Sequence, residues 1–171
     1  KVTERNVTAD ELVDTIKGLT DGEYYSVKVS GEMTSQIMKD LLAEMDVYNA
    51  ADYPKIALDL GNTTGLTNIS NTFYDCYGLT SIVFPEGVTS IPSFSDCSNF
   101  TSITIPASVE NVSSTSNCKK LTTFEVAENN EYYSTSDDGK ILYSKDKTVL
   151  FSYPSASGDV TIPNGVTSIN Y

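Results

Sequence analysis

Histidine and tryptophan are absent from the 171 residues of this chain. Without histidine, the chain lacks the general base of Ser–His–Asp and Cys–His sites and the commonest ligand of zinc sites. The glycine-rich signatures of phosphate-binding loops are also absent. Two carboxylates would suffice for glycoside hydrolysis, but no tryptophan platform or acidic cluster marks a cleft among the 23 acidic residues. We therefore expect no catalysis and no cofactor.

Basic residues are few, since 11 Lys and Arg stand against 23 Asp and Glu and leave a formal net charge of -12. This balance argues against binding to nucleic acid or to an anionic membrane surface, because both attract positively charged patches. No apolar run approaches the length of about 18 residues that a membrane-spanning helix needs. We therefore expect neither a nucleic-acid partner nor membrane insertion of this chain.

Three cysteines are an odd number, which fits no closed disulfide framework. Cys76, Cys97 and Cys118 follow one another at intervals of 21 residues. A residue that recurs once per repeat forms a ladder inside a stacked structure, and a free cysteine is a small, readily buried apolar residue. We therefore predict a buried thiol ladder at these positions rather than metal ligands or a disulfide.

The apolar residues around the cysteines obey the same period of 21 residues. The pattern Phe-x-x-Cys-x-x-Leu/Phe-x-x-Ile-x-Phe/Ile-Pro-x-x-Val-x-x-Ile/Val occurs twice between Phe73 and Val112, and a third copy opens with Cys118. One such unit cannot bury its own apolar face, so the units must stack on one another. The pattern therefore predicts a solenoid in which the strands of successive coils form a parallel sheet.

Residues 1–60 are predicted to seal the N-terminal end of this solenoid. Residues 8–11 have the sequence of a helix capping box, and an amphipathic helical pattern follows them. A strand is predicted over 24–29 and a second strand over 56–60. Between them, Thr34 or Ser35 is predicted to cap a second helix whose apolar face lies within 37–45. Strand, helix and strand indicate a right-handed crossover with parallel strands, and no Pro/Gly/Ser-rich linker separates it from the repeats. We therefore interpret this part as a β-α-β cap rather than an independent domain.

The 21-residue period breaks after Val126 and returns at Val160. Between them, residues 141–143 and 149–151 flank a polar turn, a pattern that predicts a β-hairpin. Residues 137–139 read Asp-Asp-Gly, but they lack the alternating ligands and the bidentate Glu of a calcium loop, so we interpret them as a turn without a metal. Because the repeat returns beyond the hairpin, an insertion fits better than a new domain. The predicted division is an α/β cap over 1–60 and repeats over 61–171, with a β-hairpin insertion near 128–158.

Alternation along the predicted strands assigns one face of the sheet to solvent. Ile82 points to the core, so Ser81 and Val83 on either side of it point outward. The candidate partner-binding face is the outward set Lys28, Ala57, Asp59, Ser81, Val83, Ser102, Thr104, Thr123 and Glu125. Most of these are Ser, Thr or Ala. Clustered aromatic or charged anchors would favour recognition more clearly, whereas uniform Ser and Thr would favour a spacer.

Three segments carry a resemblance to a known family: LTSIVFPEGVTSI at 79–91, LTNISNTF at 66–73 and DVTIPNGVTSI at 159–169. They resemble the BspA-like class of leucine-rich repeats, over roughly residues 56–171, although Thr115 stands where the third copy should have Phe. The resemblance implies an α/β fold, a leucine-rich-repeat solenoid with a parallel β-sheet, sealed here by the β-α-β cap. It also implies secreted or surface-anchored proteins of host-associated microbes, some of which adhere to host matrix proteins, and no catalytic residues.

Two functions are compatible with this resemblance. The first is a secreted or cell-surface binding module that adheres to a host or cell-surface protein or glycan, as a monomer and without catalysis. The alternative is a structural repeat spacer of a larger surface protein. Because the chain starts with Lys1 and the repeat at 166–169 is incomplete, we expect the protein to extend beyond these residues, and the missing signal peptide is no evidence of a cytoplasmic location.

Overall fold

The computed structural model describes residues 1–46, 53–69, 73–156 and 161–170. Its helices are α1 (Ala9–Lys17) and α2 (Ser35–Asp46). Its strands are β1 (Val2–Thr8), β2 (Tyr24–Glu32), β3 (Lys55–Thr64), β4 (Phe73–Tyr74), β5 (Leu79–Val83), β6 (Ser90–Ile91), β7 (Phe94–Ser95), β8 (Ser102–Ile105), β9 (Asn111–Val112), β10 (Thr123–Val126), β11 (Tyr133–Thr135), β12 (Leu142–Ser144), β13 (Val149–Ser152) and β14 (Ser168–Ile169). No helix among these residues combines the length and the apolar character needed to cross a membrane.

Six strands form one parallel sheet in the order β1-β2-β3-β5-β8-β10. One in-facing residue from each of five neighbouring strands stands in the same register. These residues are Val27, Leu58, Ile82, Ile103 and Phe124, none of them more than 2% exposed. Burial of each such side chain contributes roughly 1.5–3 kcal/mol to stability. The predicted α/β solenoid with a parallel sheet is confirmed.

The N-terminal part supplies the first three strands of this sheet through two consecutive β-α-β units, β1-α1-β2 and β2-α2-β3. Helix α1 begins at the predicted capping box, where the Thr8 N–H donates to Glu11 Oε2 at 3.0 Å. Its Leu12 and Ile16 side chains are fully buried in the core. The predicted border between residues 60 and 61 lies inside β3, and the role of the first 60 residues as an inseparable cap stays a prediction.

Only one of these two units was predicted from the sequence, because β1 was not predicted. Among the described strands, β1 lies at the edge of the sheet and pairs with β2. Most of its side chains are exposed, and only Thr3 and Val7 are partly buried. An exposed edge strand of this kind needs no apolar alternation, so its sequence carries no clear strand pattern.

The return legs of the coils stack as well, through the short parallel pairs β4-β7 and β6-β9. Phe73 and Phe94 pair directly in the first of these, with ring centres 4.7 Å apart and nearly parallel planes. The Phe94 ring also stacks on Phe100 at 4.7 Å. All three rings are fully buried, so an aromatic stack fills the middle of the solenoid.

The chain leaves the repeat at Asn130, which stands 21 residues after Val109, at a place that is apolar in the preceding coils. Asn130 is 1% exposed and every polar atom of its side chain is paired. Its Nδ2 donates to the Pro106 and Val109 carbonyls at 2.8 and 2.9 Å. Its Oδ1 accepts the N–H groups of Tyr132 and Tyr133, both at 2.8 Å. One side chain therefore attaches the inserted segment to the coil before it.

The inserted segment consists of β11, β12 and β13 in an antiparallel arrangement, and β14 then pairs parallel with β13. Two turns of this segment use the same hydrogen bonds. Ser136 Oγ donates to Asp138 Oδ1 at 2.7 Å, and Ser144 Oγ donates to Asp146 Oδ1 at 2.6 Å. These hydroxyl groups and the neighbouring backbone N–H groups lower the pKa of both carboxyls, that of Asp138 to about 2. The acidic sequence at 137–139 is thus part of a turn.

Candidate binding surface

The nine residues of the candidate partner-binding face lie in two rows across the sheet. The first row contains Lys28, Asp59, Val83, Thr104 and Glu125, each directly opposite the next on the neighbouring strand. The second row contains Ala57, Ser81, Ser102 and Thr123, and Ser26 extends it onto β2. Adjacent strands are about 4.8 Å apart, so each row runs for roughly 20 Å. The structure therefore brings all nine together, and whether they bind a partner stays a prediction.

The first row is the more polar and the more ordered of the two. Thr104 Oγ1 donates to Glu125 Oε2 at 3.2 Å, so these two side chains are joined across neighbouring coils. Asp59 Oδ1 accepts the Gly61 N–H at 2.9 Å, which holds this carboxylate at the sheet surface. The row thus presents acceptors at Asp59 and Glu125 and an exposed ammonium group at Lys28. A partner rich in hydrogen-bonding groups, either a protein or a glycan, suits such a face.

A second surface lies along the starts of the sheet strands and was missed by the sequence analysis. We call it the tyrosine edge, defined by Tyr24, Tyr53, Lys55, Tyr77 and Asn99. Tyr24 pairs in register with Lys55, and its side chain is 51% exposed. The Lys55 ammonium group lies 4.4 Å from the centre of the Tyr53 ring, within the range of a cation–π interaction. The rings of Tyr53 and Tyr77 stack with centres 6.1 Å apart.

Polar contacts hold the tyrosine edge in place. Asn99 Nδ2 donates to the Tyr53 hydroxyl at 2.8 Å and to the Tyr77 carbonyl at 3.0 Å. Lys120 Nζ, one coil further, donates to Asn99 Oδ1 at 2.6 Å. The Tyr77 hydroxyl donates to Asp75 Oδ1 at 2.7 Å, and this hydrogen bond, with burial, raises the pKa of Tyr77 to about 12. Tyrosine and lysine thus form an ordered rim beside the two rows. The aromatic rings of this rim are a kind of anchor that the rows lack.

The three cysteines form a column inside the solenoid, and each of them is buried and unpaired. Cys97 Sγ donates to the Phe73 carbonyl and Cys118 Sγ donates to the Phe94 carbonyl, both at 3.3 Å. The Cys118 thiol lowers the pKa of Cys97, but the Cys76 thiol and burial outweigh it and raise this pKa to about 12. The neighbouring Cys97 thiol and burial also raise the pKa of Cys118. A thiol is nucleophilic only as its thiolate, so we expect this column to be inert.

Thiol titration tests this expectation. In the native protein we expect no rapid labelling of Cys76, Cys97 or Cys118 by a thiol reagent, because all three sulfur atoms are buried. After denaturation, all three should react. Ser98→Cys is the matched control, because Ser98 is exposed next to Cys97 and its replacement should react at once. Fast labelling of the unmodified native protein, or fewer than three thiols after unfolding, would contradict the buried ladder.

Nothing in the described ranges gathers three or more Cys, Asp or Glu side chains in a geometry that could hold a metal ion. The candidate surface is therefore a set of hydrogen-bonding rows with an aromatic rim. Its chemistry is that of recognition, since it presents donors, acceptors and ring faces.

The stacked coils and their period of 21 residues identify the protein as a solenoid built of repeats. Residues 62–136 match the model of the BspA type leucine rich repeat region, in six copies. The predicted resemblance to the BspA-type leucine-rich repeats is confirmed. A comparison with curated proteins gave no match.

Among solved structures, a leucine-rich repeat protein from Eubacterium ventriosum ATCC 27560 is similar to this chain, with 20% identity and a TM-score of 0.37. The match covers 84% of this chain and 50% of that one. The chain thus spans about half the length of that protein.

Proposed function

We propose that this chain is a binding module of a secreted or cell-surface protein and that it adheres to an extracellular protein or glycan without catalysis. The observation that carries the proposal is the pair of uninterrupted rows across the sheet, bordered by the tyrosine edge. A leucine-rich-repeat region supports a role in binding, because stacked repeats present a long continuous surface to a partner.

The tyrosine edge is the feature that favours binding over the alternative of a structural spacer. A spacer needs only stacked coils, and an exposed tyrosine at the sheet edge adds nothing to their stacking. Tyr24 is half exposed, and Lys55 beside it is only partly buried. Tyrosine is enriched in protein interfaces because it offers a large rigid ring and a hydroxyl group at low entropic cost.

We expect the combined variant Asp59→Asn, Val83→Ser and Glu125→Gln to weaken binding by at least about tenfold, because it removes both carboxylates and the branched apolar side chain of the first row. The full chain is first screened against immobilised extracellular matrix proteins and glycans, and the affinity for each hit is then measured for both proteins. The matched control is Asp14→Asn with Asp40→Asn, which changes the net charge equally on the exposed faces of the two helices.

The outcomes separate the alternatives. Unchanged binding after the triple change would place the site off the first row, and Tyr24→Ser then tests the tyrosine edge. A chain that binds nothing in the screen would favour the spacer. Turnover of any substrate would show that the protein is an enzyme and would contradict the proposal of a binding module without catalysis.

A further inference from the structure

A groove of about 600 Å³ lies at the C-terminal end of the described repeats. Residues 112–117 form one wall, and residues 151–154 and 169–170 form the other. Its volume falls within the roughly 300–1,000 Å³ that is typical of small-ligand sites. The groove lies at the end of the coils, away from the two rows on the sheet.

Thr115 stands at the base of the groove and departs from the repeat pattern. It follows Phe94 by 21 residues, and Phe94 itself stacks on Phe73 at 4.7 Å. Thr115 is buried, and its hydroxyl group contacts the Ser152 hydroxyl group of the opposite wall. A hydroxyl contact between the two walls therefore replaces the ring that the repeat pattern would place here.

None of the described residues that line the groove is charged, although the chain has a formal net charge of -12. Four consecutive hydroxyl-bearing residues at 113–116 line one wall, but three of these hydroxyl groups already form hydrogen bonds, to the Ser116 N–H, to Ser152 and to Ser95. Ser113 supplies the free hydroxyl group among these described residues, and Phe151 and Tyr153 line the other wall. Asn117 and Asn170 add amide groups, although the Asn117 amide also donates to Asp96 at 2.9 Å. Hydroxyl and amide groups next to aromatic rings match a neutral sugar, whose polar rim forms hydrogen bonds and whose C–H faces pack on rings.

The backbone of the first wall adds two free donors. In the coil before it, the N–H groups of Phe94 and Asp96 donate to the carbonyls of Ser114 and Ser116, at 2.8 and 3.1 Å. The equivalent N–H groups on the wall belong to Thr115 and Asn117, and they have no partner within the part of the chain that the structure describes. Backbone donors of this kind require a partner, either water or a ligand. A ladder of two donors is too short for strand addition by a peptide, which depends on a row of main-chain hydrogen bonds.

We propose that this groove binds a neutral oligosaccharide, with the sugar ring against Tyr153 and its hydroxyl groups on the Ser113 hydroxyl and the free N–H groups of Thr115 and Asn117. The site is independent of the two rows and of the partner proposed for them. A protein that fails to bind through the rows would still bind a sugar here, and the reverse also holds.

The test uses the full chain and an array of immobilised neutral oligosaccharides, with acidic oligosaccharides of equal length as the comparison. We expect neutral members to bind and the acidic ones to bind less. For a hit, Tyr153→Ala is expected to weaken the affinity measured by calorimetric titration by about tenfold, through loss of ring stacking. Tyr132→Ala is the matched control, because Tyr132 is 46% exposed on the same inserted segment but does not line the groove.

A second variant keeps the proposal testable if Tyr153→Ala does not fold. Ser113→Asp adds a charge to the exposed wall, and it should abolish binding, whereas Ser98→Asp on an exposed turn elsewhere should not. The variant Asp14→Asn with Asp40→Asn, on the exposed faces of the two helices, should leave sugar binding unchanged. Failure of every neutral oligosaccharide to bind at millimolar concentration would overturn the proposal. Equal effects of a groove variant and its control would overturn it as well.

Discussion

Asn130→Asp is expected to lower the free energy of unfolding by at least about 3 kcal/mol. The Asn130 amide donates to the carbonyls of Pro106 and Val109 in a place that is almost completely buried. An aspartate cannot donate there when ionised, and its carboxylate would face two carbonyl oxygens without a cation to compensate it. Because a buried unpaired charge is among the most costly changes a core can undergo, the inserted segment should detach from the coil before it.

Urea denaturation of the purified variants measures this effect. Asn129→Asp is the matched control, because it makes the same chemical change at the exposed neighbouring residue and should alter stability by no more than about 0.5 kcal/mol. Asn130→Leu should also be strongly destabilising, since it leaves the N–H groups of Tyr132 and Tyr133 without their acceptor. If both substitutions at this position resembled the control, the attachment described for Asn130 would be wrong.

The parallel sheet and its register were predictable because the repeat encodes them twice. The period of 21 residues places Ser81 opposite Ser102 and Val83 opposite Thr104 in the structure, as equal positions in stacked coils must be. The alternation of in-facing and out-facing residues within each strand is equally local, because successive side chains point to opposite faces. The outward positions on β5, β8 and β10 could therefore be found from the period, and those of Lys28, Ala57 and Asp59 from the alternation within their own strands.

The attachment at Asn130 could not be predicted, because it joins a side chain to carbonyls more than 20 residues earlier. No local pattern marks such a contact, and an asparagine after Glu128 suggested an ordinary turn. The only available signal is the period itself, which places a polar residue 21 positions after Val109, where the pattern requires an apolar one. A polar residue at an apolar position of the repeat is therefore the feature that points to distant backbone partners.

The tyrosine edge was missed for a related reason. Its members come from the starts of different strands, and Tyr24, Tyr53 and Tyr77 are separated by unequal intervals. The two helical connections of the first 60 residues set these intervals, so the repeat period does not apply to them. Only the three-dimensional pairing of β2 with β3 brings Tyr24 next to Lys55. The groove was missed because the departure from the repeat at Thr115 does not by itself show which residues lie opposite it.

Deletion of residues 1–60 is expected to leave the remaining chain aggregated or unfolded. The deletion removes β1, β2 and most of β3, and so exposes the edge of β5 together with the buried side chains that faced the lost part, among them Ile82. It also removes α1 and α2, whose Leu12, Ile16 and Leu41 are fully buried in the same core as the repeats. An uncovered end of a stacked array exposes its core to solvent and is a site for aggregation, which is why terminal units of repeat proteins need a polar outer surface.

Size-exclusion chromatography and a thermal melt followed by circular dichroism distinguish the outcomes for the truncated chain. A point substitution makes the same junction testable in the full chain. Leu58→Asp places a charge in the core ladder between Val27 and Ile82 and should unfold the protein, because Leu58 is 1% exposed. Its control is Ala57→Asp on the outward face of the same strand, which should cost no more than about 1 kcal/mol. A soluble fragment of residues 61–171 with a cooperative melt would show that the first 60 residues are a separable domain, and the cap would then be the wrong description.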